Sequence, residues 1–222
     1  MRESAAHAFV ADLDAPVVDA EDRHHLQRVL RLRPGQVVSV ADGSGAWRPC
    51  AWRADGSLEP SGEVVVEPAP APALTVGFAL TKGAKPEWVV QKLTELGVDR
   101  IVAFPAERSV VRWDGAAAGR HAARWRTVAR QAAMQSRRAR LPEVVGVVAF
   151  ADLVGDGAAL AAPGGGPISL ARPTVLIGPE GGWSAAELAC GLPQVDLGPT
   201  VLRAETAALA AATLLAALRS TS

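Results

Sequence analysis

The chain has 222 residues, 49% hydrophobic and 21% charged, which are ordinary values for a soluble globular protein. Its formal net charge is +0, so overall basicity does not indicate a nucleic-acid partner. Cys50 and Cys190 are isolated and the four histidines lack metal-ligand spacing, which argues against disulfides and a metal site. Without a targeting core or about 20 consecutive apolar residues, we expect a cytoplasmic protein with no membrane span.

The N-terminal third alternates short apolar runs with turn residues. This pattern predicts a small β-barrel with strands at 37–41, 47–52 and 63–66. One helix is predicted over 21–32. Residues 23–33 carry four arginines and two histidines, a local basic surface that is compatible with binding a polyanion.

Alternating proline and alanine over residues 67–73 predict an extended linker and therefore a domain boundary. The two predicted domains are residues 1–67 and residues 74–222. In the second domain strands and helices alternate, which predicts an α/β fold with a mostly parallel sheet covered on both faces. Strands are expected at 74–80, 101–104, 144–148, 175–177 and 194–197, and helices at 86–96, 116–139 and 205–218. The Gly/Pro-rich segment 161–167 is predicted to be a flexible surface loop.

The long predicted helix carries seven arginines and no acidic residue over positions 120–140. Like charges four residues apart on a helix repel each other, so something must compensate them. Carboxylates elsewhere in the fold are one possibility, and an RNA phosphate backbone is the other. Both alternatives are open from the sequence.

Two strands end in Gly/Pro turns that lead into helix starts, at 175–183 and 196–207. Ligands of open α/β sheets bind beyond the carboxyl ends of strands, and glycine lets a ligand approach the backbone. Ser184 and Glu187 form a predicted capping box after the first turn. The first turn lacks the lysine of a P-loop, and no G-x-G-x-x-G is present, so ordinary nucleotide and dinucleotide sites are excluded.

These turns carry the strongest family signal. Together, Ile177-Gly178-Pro179-Glu180-Gly181-Gly182, Leu197-Gly198-Pro199 and Leu202-Arg203-Ala204-Glu205-Thr206 closely resemble the bacterial 16S rRNA (uridine-N3)-methyltransferase family of the SPOUT class. The resemblance runs in order from about residue 7 to residue 218. It implies a PUA-like β-barrel that binds RNA, followed by a trefoil-knotted α/β domain with a parallel sheet. It also implies a homodimer that binds S-adenosylmethionine in the knot and uses no metal.

The resemblance implies three sets of functional residues. The cofactor loops map onto Leu176, Ile177, Gly178, Pro179, Glu180, Gly181, Gly182, Leu197, Gly198, Leu202 and Thr206. The RNA-binding candidates are Arg23, His25, Arg28, Arg31, Lys82, Arg108, Arg124 and Arg137. The catalytic candidates are Arg203 and Glu205. The chain departs from the family pattern at Met134, where a Glu is frequent, at Ala204, where Thr is usual, and at Ala84-Lys85, where Asp-Arg is frequent.

The implied reaction transfers a methyl group to N3 of a uridine in the decoding region of 16S rRNA in the 30S subunit. Arg203 is the candidate for stabilising the uridine anion. Glu205 could position Arg203 or accept the N3 proton, and both residues also fit an ordinary helix N-terminus. The alternatives are a related knotted methyltransferase that acts on another RNA, and a non-catalytic RNA-binding or ribosome assembly factor.

Overall fold

The structure is a computed structural model that describes residues 1, 3–81 and 85–221. It divides into two compact units. The first comprises Met1–Ala69 and Arg130–Leu141, and the second comprises Pro70–Ala129 and Pro142–Ser222. Whether residues 1–67 and 74–222 fold as separate domains stays a prediction.

The first unit is built around a small sheet. Among its described residues the strands are β1 (Ala6–Phe9), β2 (Val37–Ala41), β3 (Ala46–Trp52), β4 (Leu58–Pro60) and β5 (Val65–Val66). Strands β1 and β2 are parallel, whereas β3 pairs antiparallel with β2, β4 and β5. The Asp42 carboxylate accepts hydrogen bonds from the backbone N–H groups of Ser44 (2.7 Å) and Ala46 (3.1 Å), which fixes the turn between β2 and β3.

The predicted helix over 21–32 is shorter and less regular in the structure. Helix α1 (Ala20–His24) continues into a π-helical turn, His25–Val29. The Leu30 N–H donates to the His25 carbonyl at 2.9 Å, which is the wider hydrogen-bonding pattern of such a turn. Arg31 then has a φ of 52°, a left-handed conformation that no helix continues through. The helical segment therefore ends before Leu32.

The second unit contains a parallel sheet, as predicted. Its strands among the described residues are β6 (Thr75–Ala79), β7 (Arg100–Phe104), β8 (Glu143–Val147), β9 (Ala158–Gly166), β10 (Thr174–Ile177) and β11 (Gln194–Val195). They lie in the order β11-β9-β10-β6-β7-β8, and every pairing is parallel. Every residue of β6 is buried, as expected for a central strand covered on both faces. The trefoil knot stays a prediction.

Four α-helices of the described chain accompany these strands, α2 (Lys85–Glu95), α3 (Gly115–Ser136), α4 (Ala185–Leu188) and α5 (Ala204–Ser220), together with a short 3-10 helix at Phe150–Leu153. Helix α5 buries Ala204, Ala208, Ala211, Ala212 and Leu215 at helical spacing, and the four alanines let it pack closely on the sheet. Helix α3 starts in the second unit and its last turns belong to the first. No helix in the described part of the chain is long and apolar enough to cross a membrane.

The prediction of a flexible loop at 161–167 is wrong, because residues 158–166 form β9. The pairing with β11 shifts between Leu160 and Gly166, so the residues between them bulge out of the regular ladder. At Gly165 a Cβ atom would lie 2.6 Å from the backbone of Gln194 and Val195. Glycine at this position therefore reflects close backbone packing within a sheet and not a flexible loop.

Candidate active site

A cavity of about 210 Å³ lies within the second unit at the carboxyl ends of β9, β10 and β11. Both Gly/Pro turns line it, together with the bulge of β9 and the start of α5. The lining residues are Ala161, Ala162, Pro163, Ile177, Gly178, Pro179, Glu180, Gly182, Trp183, Asp196, Leu197, Gly198, Thr200, Val201, Leu202, Ala204 and Ala207. The position agrees with the general location of ligand sites in open α/β sheets.

Trp183 holds the first turn against β9. Its indole ring is buried and stacks on Phe104, with ring centres 6.0 Å apart and planes at 5°. The indole Nε1–H donates to the Ala161 carbonyl at 2.8 Å. Ser184 and Glu187 form the predicted capping box, which is confirmed and fixes where the chain leaves the turn. One side of the cavity is therefore rigidly connected to the sheet.

Asp196 joins the second turn to the bulge of β9. Its carboxylate accepts hydrogen bonds from the backbone N–H groups of Gly198 (2.9 Å) and Gly164 (2.8 Å). These two hydrogen bonds, of which the one from Gly198 has the larger effect, hold the pKa of Asp196 below its usual value. The carboxylate is therefore ionised at neutral pH. Gly198 has a φ of 140°, a conformation that other residues rarely adopt.

Lys85 links the two turns to each other. Its ammonium group lies 3.3 Å from Glu180 in the first turn and 3.2 Å from Glu205 at the start of α5. Hydrogen bonds to Glu205, which has the larger effect, and to Glu180 raise the pKa of Lys85. Burial alone would raise the pKa of Glu205, but a backbone hydrogen bond, Lys85 and Arg203 together lower it. Glu205 is therefore an ionised partner of Lys85 at neutral pH.

Arg203 occupies the N-cap position of α5, with its carbonyl accepting from the Ala207 N–H at 2.8 Å. The predicted helix N-terminus is thus confirmed. The side chain is exposed, and no carboxylate of the described residues lies within ion-pair distance of it. Its guanidinium group is therefore available to a ligand.

The structure brings together most of the predicted cofactor residues. Leu176 instead lies fully buried in the core beneath the cavity, Gly181 accepts a hydrogen bond from Arg108 at 3.2 Å, and Thr206 is exposed. The sequence reasoning missed the bulge at 161–163 and the Asp196 link. The apolar run 158–162 followed by Pro163-Gly164 repeats the pattern of the other two turns and is the signal that could have revealed this segment.

The RNA-binding candidates fall into different surroundings. Arg124 is ion-paired with Glu87 at 2.8 Å, while His25 and Arg137 line a second cavity in the first unit. Lys82 lies outside the described residues. Arg23, Arg28 and Arg31 are exposed, and the described chain places no carboxylate within 4.0 Å of them.

Some arginines of α3 are paired with carboxylates of the protein, and others are left for an external anion such as an RNA phosphate. Arg130 forms a bidentate ion pair with Asp22, at 2.5 and 3.1 Å, and Arg124 is paired as described above. Arg120 and Arg126 are exposed, with no ion pair to any described residue. Internal carboxylates therefore compensate Arg124 and Arg130, while Arg120 and Arg126 are available to an external anion.

The chemistry of the first cavity limits its ligands. The lining includes the carboxylates of Glu180 and Asp196, but no lysine, arginine or histidine of the described chain. The lining side chains therefore offer no cation to a phosphate group, because the nearby Lys85 is paired with Glu180 and Glu205, whereas a ligand with apolar parts and a positive charge fits. No cluster of His, Cys, Asp and Glu among the described residues could hold a metal ion.

Comparison with known proteins places this geometry in a family. An RNA methyltransferase domain matches residues 67–216, and an RNA methyltransferase PUA domain matches residues 18–51. Ribosomal RNA small subunit methyltransferase E of Mycobacterium bovis is 37% identical over 88% of this chain and 83% of its own length. The Bacillus subtilis protein of the same name is 30% identical, over 86% of each chain.

Solved structures show the same fold. A ribosomal RNA small subunit methyltransferase E from Neisseria gonorrhoeae, bound to S-adenosyl methionine, superposes with a TM-score of 0.77 at 24% identity, over 97% of each chain. The domain matches cover most of the present sequence, and the two relatives named above match over 83% and 86% of their own lengths. The chain therefore belongs to the ribosomal RNA small subunit methyltransferase E family of RNA methyltransferases.

Proposed function

We propose that the chain methylates N3 of one uridine in the decoding region of 16S rRNA, with S-adenosylmethionine as the methyl donor. The observation that supports this proposal is the cavity at the ends of β9, β10 and β11. It is lined by the two Gly/Pro turns and includes two carboxylates and no cation in its described lining. Family membership supports the reaction class. The resemblance of the two Gly/Pro turns to the uridine-N3 enzymes supports the choice of atom.

S-adenosylmethionine fits this cavity because it combines apolar parts with a cationic sulfonium. When bound, it supplies a methyl group that is already activated for in-line transfer. Asp196, which forms no ion pair with any described residue, would offset its positive charge, while the residues of the two turns would hold it through main-chain groups. Trp183 and Asp196 fix these turns to β9 before any ligand arrives, which lowers the cost of ordering the site.

Arg203 is the proposed catalytic residue for the uridine. The N3 atom carries a proton, and each pH unit between its pKa and the surroundings costs about 1.4 kcal/mol. A guanidinium beside the uracil carbonyls stabilises the anion and lowers this cost. The exposed Arg203 side chain has no ion pair within the described chain, and its neighbours in sequence, Leu202 and Ala204, both line the cavity.

Glu205 is proposed to position the site and not to accept the proton. Its pKa lies below the ordinary value and its carboxylate is held by Lys85, so it is a weaker base than a free glutamate. Through Lys85 it also connects α5 with Glu180. The N3 proton would then leave to solvent or to a group of the RNA.

The proposed substrate is the small ribosomal subunit, with the target base unpaired because N3 lies on its Watson–Crick edge. Arg23, Arg28, Arg31 and Arg108 are the proposed contacts to the RNA backbone, together with the arginines of α3 that lack internal partners. A cytoplasmic homodimer is the proposed state. Sedimentation of the purified protein tests the dimer.

The decisive experiment is transfer of labelled methyl groups into 30S subunits that lack the modification, compared with naked 16S rRNA and followed by nucleoside analysis. The proposal expects label in 3-methyluridine. Label in a ribose or in another base would instead indicate a related enzyme with a different target. Absence of both transfer and S-adenosylmethionine binding would indicate a non-catalytic RNA-binding factor.

A further inference from the structure

A second cavity, of about 680 Å³, lies entirely within the first unit. Its volume is within the range of small-molecule sites in proteins, about 300–1,000 Å³. Three segments form its walls, namely the region of β1, the α1 and π-helical segment, and the last turns of α3. The lining residues are Ala5, Ala6, His7, Glu21, Asp22, His24, His25, Val29, Leu30, Gln131, Met134, Gln135 and Arg137. The methyl-transfer site uses none of them.

The cavity contains a cation without a carboxylate partner. Asp22 is neutralised by its bidentate ion pair with Arg130. The exposed Glu21 also interacts electrostatically with the Arg130 guanidinium, and both carboxylates raise the pKa of Arg130. Arg137 forms no ion pair with any described residue. Its Nη1 donates to Ser4 Oγ at 2.5 Å and to the Met1 carbonyl at 3.3 Å. A guanidinium has five N–H donors, so Arg137 retains donors for an anion.

A chain of buried polar groups fixes Arg137 in place. From Arg137 it runs through Ser4 Oγ to Ser39 Oγ (2.9 Å), on to His7 Nδ1 (2.8 Å), and ends with His7 Nε2 at the Arg138 carbonyl (3.0 Å). Ser4, Ser39 and His7 are all buried. Arg137 itself has a φ of 57°, a conformation that is costly outside glycine and is frequent at functional sites. The guanidinium is thus held in one direction before a ligand binds.

The other walls suit an unpaired base. His24 and His25 are exposed rings of the type on which single-stranded bases stack. Gln131 and Gln135 lie four residues apart on one face of α3, and their amides offer both donors and acceptors to a base edge. The exposed side chains of Val29 and Leu30 add apolar surface at the same cavity. Stacking surface, amide pair and cation together match the parts of a nucleotide.

We propose that this second cavity binds one unpaired nucleotide of the RNA substrate, with its base against the histidines and glutamines and its phosphate on Arg137. The proposal rests on the proposed function, in which the substrate is ribosomal RNA. It names an anchoring site that is separate from the methyl-transfer site, since the two cavities share no lining residue.

The test uses a Gln131→Leu/Gln135→Leu double variant of the full chain. Both side chains are exposed, so the fold should persist, and leucine keeps the bulk while removing the amides. Gln27→Leu is the control, because Gln27 is also exposed in the first unit but does not line the cavity. The probes are a fluorescent single-stranded fragment of 16S rRNA, 30S subunits and S-adenosylmethionine.

We expect the double variant to bind the rRNA fragment about tenfold more weakly and to show a raised KM for 30S subunits, with S-adenosylmethionine affinity unchanged. The control should match the wild type. Unchanged RNA affinity in the double variant overturns the proposal, even if the wild type methylates 30S subunits. Weaker binding to 30S subunits with unchanged binding to the fragment also overturns it, in favour of a ribosomal protein contact. If the wild type transfers no methyl group, a selective loss of RNA binding still supports the anchoring site while the proposed function fails.

Discussion

Gly178 is the position where a single added methyl group should disturb the proposed methyl-donor site most directly. A Cβ atom there would lie 2.9 Å from Cε2 and 3.1 Å from Cδ2 of Trp183. Ordinary contacts begin at 3.4 Å, so the indole or the turn must move by about 0.5 Å. The indole has little room, because Phe104 stacks on it and the Phe150 ring centre is 5.7 Å away.

The expected cost of Gly178→Ala follows from this crowding. Overpacking a well-packed interior costs about 1–3 kcal/mol. A shift of the ring also weakens its hydrogen bond to the Ala161 carbonyl, which contributes about 1 kcal/mol. If the ligand binds only the wild-type geometry of the turn, binding must restore that geometry at the same energetic cost. The affinity for S-adenosylmethionine then falls by about five- to 150-fold, since 1.4 kcal/mol is a factor of ten.

Titration calorimetry with S-adenosylmethionine measures the effect, and urea unfolding shows whether the variant is folded. Gly181→Ala is the matched control in the same turn, because its Cβ would meet the Cβ of Arg108 at an ordinary 3.4 Å. Wild-type affinity and stability in Gly178→Ala would refute the role assigned to Trp183. Equal losses in both variants would show that close ligand approach to the turn, and not the indole, requires glycine.

Three further predictions concern other parts of the chain. Arg203→Ala should keep S-adenosylmethionine affinity and lose most methyl transfer to 30S subunits, and unchanged turnover would remove Arg203 from the mechanism. Lys85→Met should weaken S-adenosylmethionine binding about two- to fivefold, while Lys85→Arg retains the links to Glu180 and Glu205; equal affinities in calorimetry would show that this ion pair does not shape the site. Burial holds the pKa of His7 at about 4, against 6.5 in the unfolded chain, with Arg137 and the N-terminus acting in the same direction. Between these two pKa values His7 is protonated in the unfolded state and neutral in the folded state. The free energy of unfolding should therefore be highest above pH 6.5 and fall by about 3 kcal/mol as the pH drops towards 4. His7→Gln should flatten this part of the pH profile in urea unfolding, and an unaltered slope would count against a neutral buried His7.

Much of the second unit could be predicted from the sequence. Buried strands such as β6 and β10 are short apolar runs, which predict the parallel sheet. The turn after β10 carries glycine and proline, which indicates the position of the cavity. The capping box after Trp183 was also predictable, because it depends on two residues three positions apart.

What the sequence does not reveal depends on contacts between distant residues. Strand β9 is rich in glycine and proline, and only its backbone packing against β11 makes it a strand. Lys85 meets Glu180 and Glu205 across 95 and 120 positions of the chain, a pairing that no local pattern contains. The polar chain behind Arg137 similarly joins residues from β1, β2 and the end of α3.

The split of α3 between the units has a consequence for synthesis on the ribosome. The first unit buries Ala133 and Ala139 in a cluster with Phe9 and Ala41, so its core is incomplete until residue 141 has been translated. By then the first strands of the other unit have already emerged. We therefore expect a nascent chain of about 70 residues to stay open to proteases, and the two units to mature together and not one after the other.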